Sequence, residues 1–318
     1  MDVQHKSTVQ PTDVPFAIYA AFTETPYSGS QAAIVLNASG LTAQERGRIA
    51  REIGTPATAF VDAINGQHIK AQFFSTVMEL PMCGHGTVCL MTRLVELGLM
   101  PGHGSVPILA TLELPKGEAT VEYSQSSADR VEVMLDVGAA QLAPADIDMA
   151  ELLHILHVSQ SDLSETLPVE VAHADFIHLC LPMRDLDVMR SLNPDFAALA
   201  EFCKSNGLET IAAFSTDSAD PEHDLHVRDF CPAVGVAESA AAGTTNAALA
   251  AYLLRNGCVQ PDATGSVVVR AEQGMEIGRP SKISTRVRTD GTQIARLQVG
   301  GVASRLVEGV LNVALDTR

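Results

Sequence analysis

The sequence predicts an α+β protein of two similar lobes, each with short β-strands around one buried helix. Its 318 residues are about twice the usual length of a single domain, and 46% of them are hydrophobic, which is enough for two cores. Segments 84–98 and 243–257 have the pattern of helices that are apolar on almost all sides, and such helices must be buried. Each follows a strand and a loop of small residues. Two lobes of one architecture are therefore expected.

The first half of the chain is expected to form the N-terminal lobe, at 15–125. Residues 1–14 are polar and are predicted to form a flexible leader with no role in the fold. A helix is expected at 41–53, where apolar residues recur at helical spacing. Runs of alternating apolar residues predict strands at 16–22, 32–36, 57–62, 68–75 and 107–113.

The second half is expected to form the C-terminal lobe, at 129–300. A polar, Ser-rich stretch at 123–129 marks the predicted boundary between the lobes. The segment 301–318 is a candidate to return to the N-terminal lobe. Strands are expected at 130–136 and 168–182, and helices at 147–156 and 194–204.

Composition excludes several classes of partner. Lys and Arg number 21 against 38 Asp and Glu, a net charge of −17, so nucleic acid and anionic membrane surfaces would be repelled. No run of about 18 apolar residues occurs, and the N-terminus lacks a secretion signal, so a cytoplasmic protein is expected. The six cysteines are widely spaced and no dinucleotide-binding glycine fingerprint is present. We therefore expect no metal and no cofactor.

The first candidate site opens the helix at 84–98. Cys83 precedes Gly84 and Gly86, which flank His85, so the thiol would lie beside the free N–H groups of a helix start. This position predicts a lowered pKa for Cys83 and an anion site at the backbone amides. The alternative is that Cys83 is a small buried apolar residue.

The second candidate site opens the helix at 243–257. Small residues at 239–242 lead into Gly243, Thr244 and Thr245, whose amides and hydroxyls could grip a carboxylate together with the first helix start. The alternative is that the two threonines are helix caps and nothing more.

These segments carry a family resemblance over residues 15–312. Their order resembles that of the PhzF-like (phenazine-biosynthesis isomerase) family of the diaminopimelate epimerase and proline racemase superfamily. The matching segments are 22–35, 74–87, 230–238 followed by Gly243, and 274–281. The resemblance implies a diaminopimelate epimerase-like fold with a curled sheet around each central helix. It also implies an active site in the cleft between the lobes and proton transfer on a small acid without a cofactor. We also expect a homodimer.

The chain departs from that pattern at three positions. Where the family carries a catalytic glutamate this sequence has Ala57, and where the family favours an aspartate it has Ser239. Proline racemases and diaminopimelate epimerases use a cysteine at each helix start. Cys83 matches the first, but Ala242 stands at the second. A racemase needs a base on each face of the reacting carbon, so stereoinversion is disfavoured here.

We therefore predict a cofactor-independent isomerase that moves a proton on a small carboxylate. Cys83 is the expected thiolate base, and His85 and Ser239 are candidates to relay or return the proton. The expected binding residues are Ser30, Gln31, Gly84, Gly86, Thr87, Gly243, Thr244 and Thr245. Within enzymes the alternatives are a base at His85 or Glu238, or a one-base dehydratase or epimerase. A non-catalytic small-molecule binding protein is the alternative outside enzymes.

Overall fold

The computed structural model describes residues 11–102, 104–127 and 130–314, and in them six α-helices and eighteen β-strands. The helices are α1 (Ala43–Ile53), α2 (Gly84–Glu96), α3 (Met149–Leu156), α4 (Leu186–Ser191), α5 (Phe196–Ser205) and α6 (Gly243–Arg255). The first nine strands are β1 (Pro11–Ala21), β2 (Ser30–Val35), β3 (Ala57–Asn65), β4 (His68–Phe74), β5 (Glu79–Leu80), β6 (Gly104–Leu114), β7 (Gly117–Ser127), β8 (Arg130–Asp136) and β9 (Gln141–Pro144). The others are β10 (Glu170–His173), β11 (Ile177–Pro182), β12 (Thr210–Ser215), β13 (Leu225–Cys231), β14 (Val236–Ser239), β15 (Ser266–Gln273), β16 (Ser281–Asp290), β17 (Gln293–Gly301) and β18 (Ala303–Ala314).

The strands form one continuous eighteen-stranded sheet whose two halves have matching order. In the N-terminal lobe the order is β18-β1-β2-β3-β4-β6-β7-β8, and in the C-terminal lobe it is β9-β10-β11-β12-β13-β15-β16-β17. β2–β3 and β4–β6 pair in parallel, as β11–β12 and β13–β15 do. β5 and β14 are short antiparallel additions to β4 and β13. β8 and β17 pair antiparallel and join the two halves. The predicted α+β fold of two similar lobes is therefore confirmed.

Each lobe is built around one apolar helix. α2 buries Leu90 and Leu94 completely in a core with strands of the N-terminal sheet. α6 does the same with Leu249 and Tyr252, and the Tyr252 ring meets Phe214 edge-on at 5.3 Å between centroids. Burial of each such leucine contributes roughly 1.5–3 kcal/mol. The two helices also touch each other, with Cα atoms within 8 Å.

The predicted leader requires a correction where it is described. Residues 1–10 lie outside the described residues, but β1 begins at Pro11 and pairs with β18 along its whole length. Val14 is buried against Val35 and Phe60, so residues 11–14 do take part in the fold. The prolines of this segment led to the wrong prediction that it has no role in the fold. They are tolerated because β2 pairs with β1 only from Phe16 onwards.

The predicted lobe boundary at 123–129 also requires a correction. This stretch belongs to the hairpin of β7 and β8, although residues 128 and 129 lie outside the described residues. Val131 and Val133 of β8 pack in the N-terminal core, so the strand expected at 130–136 belongs to the N-terminal lobe. A polar hairpin tip has the composition of a linker, which explains the error.

The other predicted elements differ mainly in their ends. α2 and α6 end two residues earlier than expected. The single strand expected at 168–182 is two strands, β10 and β11, joined by a tight turn. β18 pairs with β1, so the C-terminal segment returns to the N-terminal sheet as far as it is described.

Candidate active site

The first helix start is organised by backbone bonds to Cys83. Cys83 is the N-cap of α2 in an extended conformation, and the Gly86 N–H donates to its Sγ at 3.4 Å. The N–H and the hydroxyl of Thr87 both donate to the Cys83 carbonyl, at 2.9 and 2.8 Å. Thr87 is fully buried, so its hydroxyl serves the helix start. The prediction that Thr87 contacts substrate finds no support in this geometry.

The Cys83 thiol is not acidified. Its Sγ lies 3.5 Å from Nδ1 and 3.7 Å from Nε2 of His85. Burial raises the pKa of Cys83 to about 12, against the smaller opposite effect of the Gly86 N–H. The predicted lowering is therefore wrong. Cys83 is only 7% exposed within an apolar cluster, and lost hydration outweighs one backbone N–H.

His85 is the more accessible member of the pair. It is half-buried, and burial lowers its pKa to about 4, against the opposite effect of a hydrogen bond with the backbone of Gln31. At neutral pH the ring is thus uncharged and can accept a proton. Gln31 stands at the beginning of β2, so the start of β2 and the start of α2 meet at this histidine.

The loop before β2 is held by the guanidinium of Arg279, which was not among the predicted site residues. Arg279 donates from Nε to the Gly29 carbonyl at 2.7 Å and from Nη2 to the Ser28 carbonyl at 2.8 Å. Gly29 has φ of +67°, and a Cβ there would lie 2.2 Å from the Ala21 carbonyl oxygen, so no other residue fits. The neighbouring Ser30 is buried. Arg279 thereby fixes the segment that leads to Gln31.

The second helix start is organised by two side-chain amides. Asn246 donates from Nδ2 to the Ala242 carbonyl and to Gln273 Oε1, both at 2.9 Å. Gln273 in turn donates from Nε2 to the Ser239 carbonyl at 2.9 Å. Ala242 is the N-cap and offers no side-chain bond, so Thr244 does not cap the helix. These bonds hold the segment from β14 to α6 in place.

The binding residues predicted at this start have different environments. Gly243, Thr244 and Ser239 are half-buried, whereas Thr245 is 1% exposed. The Thr245 hydroxyl acts to lower the pKa of the buried Asp229 carboxyl and lies 3.5 Å from His178 Nδ1. It faces the interior of the C-terminal lobe, so it does not cap the helix and does not line a surface open to solvent.

The two starts occupy equivalent places in the two lobes. Phe73 pairs with Leu80 across β4 and β5, and Asp229 pairs with Ser239 across β13 and β14. Three further residues lead from each short strand to its helix, at Gly84 and at Gly243. The N-caps Cys83 and Ala242 have similar extended backbones, with φ, ψ of −148°, 109° and −126°, 109°. By this equivalence His85 corresponds to Thr244.

The start of α6 packs against the core of the other lobe. Ala241 is buried in the same apolar cluster as Cys83. A Cβ added at Gly243 would lie 3.2 Å from Val299 Cγ1, and Val299 belongs to that cluster too. Ala57 is also fully buried there. The residues from the two helix starts therefore meet in one cluster across the lobe boundary, without a carboxylate at position 57.

Glu238 is committed to a structural ion pair. Arg228 donates to both of its carboxylate oxygens, at 2.9 and 2.8 Å, and both side chains are buried. Arg228 also donates to the carbonyls of Met189 and Leu192. A carboxylate engaged in this way is a poor base, so the alternative of Glu238 as base is disfavoured.

Two cavities border the N-terminal lobe away from these residues. One, of about 1120 Å³, lies by Glu96, Arg130 and Arg305, and the other, of about 570 Å³, by His223 and Lys282. Neither is lined by Cys83 or His85.

A metal site and a membrane span can be assessed in the described ranges 11–102, 104–127 and 130–314. No group of three or more His, Cys, Asp or Glu in them stands close enough to hold a metal ion. No helix in this part of the chain is long and apolar enough to cross a membrane.

The fold and the paired helix starts define the class of two-lobed proteins with a diaminopimelate epimerase-like fold. Residues 19–309 match the model of the phenazine biosynthesis-like protein family, PhzC-PhzF, and the chain belongs to that family. The resemblance inferred from the sequence is therefore confirmed.

Relatives and solved structures agree with this assignment. An uncharacterized isomerase of Deinococcus radiodurans is 29% identical, covering 93% of this chain and 94% of the relative. The trans-2,3-dihydro-3-hydroxyanthranilate isomerase of Pseudomonas fluorescens is also 29% identical, covering 90% and 95%. The structure of a PhzF-family phenazine biosynthesis protein from Bacillus anthracis superposes with a TM-score of 0.85 at 25% identity, covering 95% and 100%.

A more distant structure shows how far the fold extends. A hydroxyproline epimerase from Agrobacterium vitis superposes with a TM-score of 0.59 at 12% identity, covering 95% of this chain and 93% of that one, which is a likeness of fold alone. The curated relatives are named isomerases, and this chain matches them over nearly their full length. The chain is therefore an isomerase. The alternative of a non-catalytic binding protein is not supported.

Proposed function

We propose that the chain moves a proton on a small carboxylate substrate, without a cofactor, where the starts of α2 and α6 meet. One observation carries the proposal: His85, with its pKa lowered to about 4, is half-buried at the start of α2, 3.5 Å from the Cys83 thiol. The lowered pKa keeps the imidazole uncharged and able to accept a proton at neutral pH, although it is then a weaker base than a free imidazole. The base is therefore His85 rather than the Cys83 thiolate first expected.

The roles of the surrounding residues follow from their contacts. The amide of Gly84 and those of Gly243 and Thr244 belong to helix starts, whose free N–H groups favour a carboxylate and a developing enolate. The neutral Cys83 thiol is a hydrogen-bond partner that orients the His85 ring. Ser30 and Gln31, at the beginning of β2, border the same substrate site. Ser239, on the C-terminal lobe, returns the proton to the substrate.

A single base also fits the departures from the family pattern. Ala57 and Ala242 supply no acid–base group, so proton removal is assigned to one face of the reacting carbon. An isomerisation, in which the proton returns to a different atom, requires no second base. The one-base dehydratase remains the second candidate for the same residues, and release of water from the substrate would distinguish it. The expected homodimer and cytoplasmic location stay predictions.

The first experiment uses trans-2,3-dihydro-3-hydroxyanthranilate, because the Pseudomonas relative is named for it, together with a panel of small unsaturated carboxylates. Turnover is followed by NMR for the wild type, His85→Asn and Cys83→Ser. Loss of the base should lower turnover by about 10²–10⁴-fold in His85→Asn, with a smaller loss in Cys83→Ser. A larger loss in Cys83→Ser would restore the thiolate as base. Dialysis against a chelator should leave wild-type turnover unchanged.

A further inference from the structure

A buried carboxyl stands where the other lobe has an apolar side chain. Phe73 is fully buried beside Gly86, the third residue of α2, since a Cβ on Gly86 would lie 2.8 Å from its ring. The equivalent residue of the C-terminal lobe is Asp229, which contacts Thr245, the third residue of α6. The fold thus accepts phenylalanine at one copy of this position and carries an acid at the other. Packing alone does not account for Asp229.

The surroundings of Asp229 favour its protonated form. It is 2% exposed, and its Oδ1 has no hydrogen-bond partner in the described part of the chain. Nor does it form an ion pair with any described residue. The neighbouring guanidinium of Arg228 lies on the opposite face of β13 and is bound to Glu238. A buried carboxylate without a cation is strongly disfavoured relative to the neutral acid.

The groups that face Asp229 from each packed element have opposite effects on its pKa, and the raising effects are the larger. From β14 the charge of Glu238 opposes its ionisation, whereas the hydroxyls of Thr210 on β12 and Thr245 on α6 oppose protonation. On β11, His178 has a pKa lowered by burial to about 4 and is thus uncharged. Cys231 on β13 itself is a neutral thiol, because burial raises its pKa. Desolvation is the largest effect and raises the pKa of Asp229 to about 7.

Asp229 also has a direct neighbour at the proposed site. It lies opposite Ser239 in the β13–β14 ladder, and side chains at such positions point to the same face with Cβ atoms about 4.5–5.5 Å apart. Ser239 is half-buried and precedes the start of α6. The Ser239 side chain is therefore a neighbour of the buried acid, on the short strand that leads to the start of α6.

We infer that Asp229 is the store of the proton that Ser239 delivers to the substrate. Asp229 passes its proton to the Ser239 oxygen as the Ser239 hydroxyl gives its own to the substrate carbon. His85 has by then taken one proton from the substrate. The result is an Asp229 carboxylate and a His85 imidazolium, and a proton returned through solvent from His85 to Asp229 restores both. Asp229 acts through Ser239 and is thus a positioning residue. This inference rests on the proposed function.

The test first measures the acid itself, in the full chain without substrate. Infrared titration of protein labelled with ¹³C-aspartate should show a neutral carboxyl band that disappears near pH 7. The band should be missing in Asp229→Asn and retained in Asp62→Asn, since Asp62 is paired with Arg46. Ser239→Ala should shift the midpoint of the Asp229 titration. A missing wild-type band, or a midpoint unmoved by Ser239→Ala, would overturn the inference whether or not any substrate is turned over.

The second arm uses turnover of the carboxylate panel as a function of pH. Wild-type turnover should fall as pH rises through about 7. Asp229→Asn should lower turnover by about 10²-fold and abolish this decrease with pH. Asp229→Asn should also be at least as stable as the wild type, because the amide removes an unpaired buried acid. If Asp229→Asn keeps full turnover and the same decrease with pH, Asp229 is not the proton store, and the proposed function still stands. Absence of turnover in the wild type would count against the proposed function alone.

Discussion

The thiol of Cys83 and the imidazole of His85 meet at 3.5 Å, with both groups uncharged at neutral pH. A thiolate–imidazolium pair would need the pKa of Cys83 to lie below that of His85, whereas burial raises the first and lowers the second. His85 is consequently free to act as a base, and Cys83 is a poor nucleophile.

The six cysteines should therefore react with iodoacetamide in an order set by exposure. Cys258 is the exposed one among the free cysteines, whereas Cys83 and Cys89 are buried with raised pKa values. Mass spectrometry of the native protein should find Cys258 modified first and Cys83 slowly, with all six modified in denaturant as the control. Fastest labelling at Cys83 would contradict the neutral thiol.

Two glycines of the α2 start should respond differently to alanine. A Cβ at Gly86 would lie 2.8 Å from Phe73 and 3.0 Å from Cys83 Sγ, whereas one at Gly84 would meet nothing within 4 Å. Gly86→Ala should lower the free energy of unfolding by about 1–3 kcal/mol, and Gly84→Ala should change it by less than about 0.5 kcal/mol. Urea unfolding measures both. Equal effects would mean that the start of α2 is more loosely packed than described.

Breaking the buried ion pair should be far more destabilising than breaking an exposed one. Glu238→Gln removes the bidentate counter-charge of the buried Arg228 and leaves it only the more distant Glu276, at 4.0 Å, and should cost about 3–5 kcal/mol. The control is Glu201→Gln, which removes an exposed pair with Lys204 and should cost about 0–1 kcal/mol. Chemical unfolding of both variants at one pH makes the comparison. A small loss in Glu238→Gln would reopen its assignment as a purely structural group.

His226 should make stability depend on pH. Burial alone would lower its pKa, but hydrogen bonds to Glu276 at 2.8 Å and Glu272 at 2.7 Å raise it above 6.5. The stabilisation is fully present below pH 6.5 and is lost as pH rises through the folded pKa, because the folded state then holds a proton that the unfolded state has released. In His226→Gln the free energy of unfolding should lose this decline. An unchanged decline would show that another group causes it.

The sequence predicted what local pattern determines. The ranges of α2 and α6 could be found because a helix apolar on all sides needs no knowledge of its neighbours. The β7–β8 hairpin could not, since polar residues 123–129 have the composition of a linker. The pKa of Cys83 could not be predicted either. The helix start is visible in the sequence, but the burial of the thiol depends on tertiary packing. Asp229 escaped notice because its importance depends on pairing with Ser239 and on the equivalence with Phe73.

The central claim is that a single base, His85, removes a proton from one face of a carboxylate, and turnover in deuterated water tests it most directly. NMR of the carboxylate panel should show product labelled at the new position in one configuration, while recovered substrate keeps its handedness. His85→Asn should lose this labelling by about 10²–10⁴-fold, while Glu201→Gln retains it. Substrate that loses its handedness as fast as product forms, or full labelling in His85→Asn, would contradict the account.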